Sequence, residues 1–237
     1  MKLYHGTTGK VAKLALTEGL KPRIMTGSNG NWNHTVSSRD DLIYLTTTYA
    51  PYFAHTATPE SRDEGDKEDH LLGIVEIDLL KLDEDMLLPD EDFLEQSSRN
   101  NPPTGGGNEG LAECSTMVER TNWYKEHLEF FAHHWVDSIE RMGVAAYLGI
   151  IPPSAITQVS LYDDRSNPSI SLMALDPSIT LINHLIMGDK YKALTRWFMG
   201  GEVRPQDLSI MPVSSIDTER WTEVVKATEG LRIISNT

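Results

Sequence analysis

The chain is predicted to be an α+β protein. Short apolar or alternating strand segments are interleaved with helical ones, without the regular strand–helix–strand alternation of a parallel sheet. Gly, Pro and Asn cluster between the periodic segments as turn signals. With 237 residues, of which 39% are hydrophobic and 24% charged, the chain has material for a sizeable core.

The first strand is the opening MKLYHG, which carries His5 and Gly6 at its end. A helix follows over Thr8–Gly19, with Val11, Leu14 and Ala15 at helical spacing and Gly19 as its stop. Residues 26–33 are rich in Gly, Ser and Asn and read as a loop. Leu42-Ile43-Tyr44-Leu45-Thr46 is the second strand. The threonines at 46–48 can cap a helix over Tyr49–His55, with Pro51 tolerated in its first turn. Charged residues 58–70 lack apolar anchors and predict an exposed loop. Leu71–Leu79 alternates as a strand, and Pro89–Gln96 predicts a short helix with an acidic first turn that suits its dipole.

Residues 98–110 read as a loop or lid, and a single long helix is expected over Ala112–Met142, ended by Gly143. Val144–Leu148 is a strand, Ile150–Ile156 a crossing turn and Thr157–Tyr162 another strand. Beyond these come a strand over Ile170–Leu175, helices over Ile179–Phe198 and Ile216–Thr228, and a closing segment Leu231–Ile234.

Composition narrows the function classes. No run of about 18 apolar residues exists, so no membrane span is expected. The N-terminal residues carry no apolar stretch of the signal-peptide type, and a cytoplasmic protein is expected. Cys114 is the only cysteine, which excludes an internal disulfide and a multi-cysteine metal site. Glu126, His127, Glu129, His133 and His134 lie close in sequence, and Glu129 and His133 share a helical face. Without ligands from other segments they do not predict a metal site. The net charge of −14, from 21 Lys and Arg against 35 Asp and Glu, repels phosphate backbones. The basic groups Lys10/Lys13/Lys21/Arg23 and Lys190/Lys192/Arg196 read as solvated faces.

His5 and Gly6 are the first candidate site residues. A glycine can bring its backbone N–H and C=O against a planar carboxamide, and an imidazole can hydrogen-bond a ribose hydroxyl. A tyrosine such as Tyr44 on a neighbouring strand could cover the ring face. Together these groups suit a nicotinamide-ribose.

The segments LYHGTT, GLKPR, IYLTTTYAPYFA and GVAAYLGIIPPSAI, in that order, resemble the ADP-ribosyltransferase superfamily. The nearest branch holds the poly-ADP-ribose polymerases, the DNA-modifying bacterial toxins and the RNA 2′-phosphotransferases. The resemblance covers residues 1–162 and leaves 163–237 as a partly helical extension. It implies a split, strongly bent mixed β-sheet that encloses NAD⁺. His5, Gly6 and Thr7 would hold the nicotinamide ribose and carboxamide, and Tyr44 matches the tyrosine of the family's His-Tyr-Glu set. Tyr49 and Tyr52 would stack on the ring, and Arg23 would contact the adenylate phosphates. Ser37, Ser38 and Arg39 read as a polar turn ahead of the Tyr44 strand.

One departure stands out: the strand Val144–Leu148, where the family carries its glutamate, has no carboxylate. Glu140 is the expected substitute, with Asp137, Glu126 and Glu129 as alternatives. The activity implied is mono-ADP-ribosyl transfer from NAD⁺ to a protein or small-molecule acceptor rather than to nucleic acid, as in a bacterial or phage effector or toxin. An RNA 2′-phosphotransferase-like enzyme and an inactive NAD⁺-binding or interaction module are the alternatives.

Overall fold

A helix can lie directly on a strand only where no Cβ intervenes, and two strand glycines meet that condition. Gly6 lies in β1 (Lys2–Thr8), Gly73 in β3 (Leu72–Asp78), and each faces a helix. The computed structural model describes residues 1–27, 36–47, 49–62, 71–98, 110–162 and 232–235. These fall into two units. The first comprises the described parts of Met1–Leu20, Thr47–Lys81 and Pro152–Thr237; the second comprises those of Lys21–Thr46 and Leu82–Ile151. Both are α+β, and every strand pairing within either unit is antiparallel.

In the first unit β3 lies between β1 and β6 (Ile156–Tyr162), and β7 (Arg232–Ser235) pairs with the far side of β6. Side chains alternate across the sheet. Leu3, His5 and Thr7 therefore share a face with their register partners Ile77, Val75 and Gly73. Helix α1 (Gly9–Glu18) lies on that face, its Ala12 Cβ 2.6 Å from where a Cβ on Gly73 would stand. The helix starts where the Thr8 hydroxyl accepts the Val11 N–H at 3.4 Å. It ends at Gly19, whose φ of 78° lets its N–H reach Ala15 O.

The opposite face, which includes Gly6, packs against α3 (Ala50–Arg62). A Cβ on Gly6 would collide with Ala50 O, lie 2.5 Å from Ala54 N and 2.9 Å from Phe53 Cβ. Ala50 and Ala54 are one helical turn apart, so small residues on helix and strand meet in register.

In the second unit β5 (Val144–Leu148) lies between β2 (Leu42–Thr46) and the two-residue β4 (Leu87–Leu88). A four-residue turn of helix, α2 (Arg23–Thr26), precedes β2, and α4 (Glu91–Ser98) follows β4. The long helix expected over Ala112–Met142 is instead α5 (Met117–Glu126), a 3-10 stretch over Leu128–His134, and α6 (Trp135–Met142). His127 causes the break. Its ring Nδ1 pairs with Trp123 O at 2.7 Å, so its backbone N–H turns to Tyr124 O instead, the tighter 3-10 pattern. The rings of Trp123 and His127 stack at 4.2 Å, while Tyr124, Leu128 and Phe131 remain fully buried beneath them.

The boundaries of α5 and α6 follow local chemistry. Thr116 and Glu119 form a capping box at the start of α5. Gly143, at φ 74°, closes α6 with its N–H on Ile139 O. Arg120 of α5 forks onto Glu95 of α4 at 2.9 and 3.2 Å, which pairs a carboxylate only 2% exposed. The helices and strand expected between residues 170 and 228, and most of the loops at 26–33, 58–70 and 98–110, lie outside the described residues.

Gly6→Ala is expected to destabilise the protein by about 3 kcal/mol, because helix backbone rather than a flexible side chain occupies the space. Chemical denaturation measures it, and a loss below about 1 kcal/mol would mean that α3 moves aside freely.

Candidate active site

The second unit builds a buried carboxylate–phenol pair from two segments far apart in sequence. In β2, Tyr44 stands opposite Ala146 of β5, and Ala146 stands opposite Leu88 of β4. The small alanine thus lies between the tyrosine and the strand that leads into α4. Asp90 then caps α4, its Oδ1 accepting the N–H of Asp92 at 2.9 Å and of Phe93 at 3.4 Å. Its own N–H donates to Ser138 Oγ at 3.1 Å, and the buried Ser138 hydroxyl donates to Val144 O at 2.8 Å. This chain of bonds fixes the first turn of α4. Glu91, the first helical residue, thereby meets Tyr44, whose hydroxyl donates to Oε1 at 2.9 Å and Oε2 at 3.1 Å.

Glu91 is 6% exposed, and among the described residues it forms an ion pair with no Lys or Arg. Burial raises its carboxyl above the usual range and the neighbouring Asp92 adds to that. Its own backbone amide, the Tyr44 bond and the Lys125 charge pull it back, and the result is about 7. Burial, then the charges of Glu91 and Asp90, hold the Tyr44 phenol well above its usual value. The phenol therefore stays a donor, while Glu91 changes charge near neutrality.

The turn before β2 supplies the third partner. The Arg39 N–H donates to Tyr44 Oη at 3.2 Å. Its guanidinium forks onto Asp41 at 2.9 and 2.7 Å, meets Glu129 at 2.7 Å and donates to Lys125 O at 3.3 Å. The Arg39 fork holds the Asp41 carboxyl below the usual range. Lys125 Nζ donates to Ser37 O at 2.9 Å. Arg23 Nη2 donates to Ser38 O at 2.8 Å, Ser38 Oγ at 2.9 Å and Arg39 O at 3.4 Å. An open cleft of about 410 Å³ lies beside this turn, with Ile24, Asp40 and Glu126 completing its walls.

The expected site residues are divided between the units. His5, Gly6, Thr7, Tyr49 and Tyr52 belong to the first; Arg23, Tyr44 and Glu140 belong to the second. His5 is half-buried and projects to the α1 face of the sheet, as does the buried Thr7. The absent Cβ of Gly6 accommodates α3, which is sufficient reason for glycine there. Tyr49 is fully buried and Tyr52 is 5% exposed. The Arg23 guanidinium holds the 38–39 turn. Glu140 lies on the exposed side of α6, whose buried residues are Ser138, Ile139 and Met142.

Of the alternative acids, Glu126 is exposed, Glu129 pairs with Arg39, and Asp137 pairs with His134 at 3.0 Å. Among the described residues no group of three His, Cys, Asp or Glu side chains is placed to hold a metal ion. The residue that the sequence reading missed is Glu91. Its only signal was the Pro-Asp-Glu-Asp run, which also fits an ordinary acidic helix start. No known family model and no curated protein sequence matches the chain.

Because Glu91 binds its proton more tightly folded than unfolded, stability is expected to fall as pH rises from about 4.5 to about 7. The Glu91 share of that fall is at most about 3 kcal/mol. Asp41 is shifted down, so its contribution changes only at more acidic pH. Denaturation of wild type and Glu91→Gln at pH 5 and pH 8 checks this: the variant should lack that component. Identical pH dependence in both proteins would show that Glu91 ionises normally.

Proposed function

We propose that the chain is an NAD⁺-dependent mono-ADP-ribosyltransferase of the α+β type that its motifs resemble, with its split, bent sheet. One observation carries the reading: Glu91, a buried carboxylate without a cationic partner among the described residues, is hydrogen-bonded to Tyr44. The resemblance assigns Tyr44 to the nicotinamide site, and it lacked a carboxylate on Val144–Leu148. Glu91 supplies that carboxylate from a different element.

The chemistry of the donor set fits the substrate. A buried anion with no Lys or Arg against it among the described residues favours positive charge developing nearby, and the ribose of NAD⁺ develops such charge as nicotinamide leaves. Ionised Glu91 stabilises the cationic ribose carbon and holds the adjacent hydroxyl. Tyr44 keeps the carboxylate oriented through its phenol proton. The glycosidic C–N bond breaks with its electron pair going to nicotinamide. The acceptor's nucleophilic atom then bonds the anomeric carbon and releases a proton to water.

The 2′-phosphotransferase alternative needs cations free to hold an RNA phosphate. Arg23 and Arg39 are both engaged with the protein's own carbonyls and carboxylates, which favours the transferase reading. The acidic overall charge points the same way, toward a protein or small-molecule acceptor.

Incubation of labelled NAD⁺ and cell lysate with wild type, Glu91→Gln and Glu140→Ala tests the reading. Wild type and Glu140→Ala should transfer label at similar rates, and Glu91→Gln should fall about 100-fold or more. Full transfer by Glu91→Gln would refute the role of Glu91, and no transfer by wild type would refute the activity.

A further inference from the structure

Nothing in the chemistry above uses Arg39 directly, yet its side chain is clamped by several polar contacts beside Tyr44. Its guanidinium is 19% exposed and is held on three sides: by Asp41, by Glu129 and by Lys125 O. Two of these anchors, Glu129 and Lys125 O, lie at the end of α5 and the start of the 3-10 stretch after it. The Arg39 backbone is further pinned by Arg23, which donates to the carbonyls of Ser38 and Arg39, and by Ile24 N–H on Asp40 O at 2.8 Å. Among the described residues, this turn meets the Tyr44 hydroxyl through the Arg39 N–H.

That bond constrains a proton. A phenol oxygen that accepts a backbone N–H directs its own O–H elsewhere, and both Glu91 oxygens lie within 3.1 Å. We infer that Arg39 is a positioning residue for Glu91: its clamped guanidinium fixes its own amide on the Tyr44 oxygen, so that the phenol proton is committed to the Glu91 carboxylate. The inference rests on the proposed role of Glu91. Arg39 itself touches neither the carboxylate nor the reacting atoms.

Among the described residues, the groups facing Glu91 are Tyr44 from β2, Asp90 and Asp92 at the start of its own helix, and Lys125 from α5. The position of α4 is set by Asp90 and Ser138, which do not depend on the Arg39 turn. Loosening the turn should thus free the phenol to reorient and weaken its bond to Glu91, which stays buried, and the Glu91 titration midpoint should rise.

Arg39→Lys tests this, because lysine keeps the charge but cannot fork onto Asp41 and reach Glu129 and Lys125 O together. The Glu91 midpoint is read on the full chain by infrared titration of the carboxyl stretch, as a difference against Glu91→Gln. The expected result is an upward shift of about half a pH unit or more. In NAD⁺ turnover, kcat should drop about tenfold with KM changed less than about twofold. An unchanged or lowered midpoint in folded Arg39→Lys overturns the inference. If that variant does not fold, Asp41→Asn, which removes one arm of the clamp, should shift the midpoint in the same direction by a smaller amount; no upward shift there overturns it too. Absence of transfer by wild type would sink the proposed activity, while the titration would still decide whether Arg39 positions the pair.

Discussion

A buried carboxylate with no Lys or Arg in salt-bridge contact is costly, and among its described residues the second unit is arranged around one, Glu91. Glu91 is tolerated because the Tyr44 phenol donates to it and because α4 begins at that residue, where the amides of a first turn favour negative charge. Each neighbour follows from that requirement. Ala146 is small where Tyr44 and Leu88 approach it from either side. Asp90 and Ser138 fix the helix start against β5, and the Arg39 turn fixes the phenol. A simpler solution for stability alone would replace Glu91 by an apolar side chain of similar size. An acid of raised pKa at this position suits a site where charge must appear and disappear near neutral pH.

The other buried acid of the same helix makes the contrast plain. Glu95, one turn further on, is 2% exposed but receives the Arg120 fork, and so joins α4 to α5 as an ordinary internal ion pair. Two glutamates at helical spacing thus have opposite environments. One is neutralised by a guanidinium. Among the described residues the other has the neutral Tyr44 hydroxyl and no Lys or Arg in direct contact. Both arginines on the GLKPR side of the unit are engaged internally, so recognition of phosphate would need groups other than Arg23 and Arg39.

Much of the fold was legible from residue patterns. Alternation marked a strand over Leu71–Leu79, where β3 spans Leu72–Asp78; Gly19 and Gly143 marked helix ends, and the Ile-Pro-Pro turn before β6 lies where its composition suggests. The break at His127 was not legible, because it depends on a ring nitrogen taking a carbonyl that helical periodicity assigns to the backbone. The site was legible only in part. Tyr44 stood out by its place in an apolar strand, but Glu91 was hidden by a local explanation that is also true: acids belong at helix starts. Only the antiparallel register of β4, β5 and β2 reveals that this helix start faces a tyrosine more than forty positions earlier. Gly6 shows the reverse case, since the property that made it a candidate for a ligand is accounted for by the approach of α3.

The proposed role of Glu91 depends on its energetic coupling to Tyr44, and a double-mutant cycle measures that coupling directly. Stability is measured by chemical denaturation at pH 8 for wild type, Tyr44→Phe, Glu91→Gln and the double variant. At that pH the carboxylate is ionised and the phenol protonated. A coupling of about 1.5 to 3 kcal/mol, the range of a hydrogen bond to a charged group, is the predicted result. Additive effects within about 0.5 kcal/mol would contradict the claim that the phenol supports the buried charge.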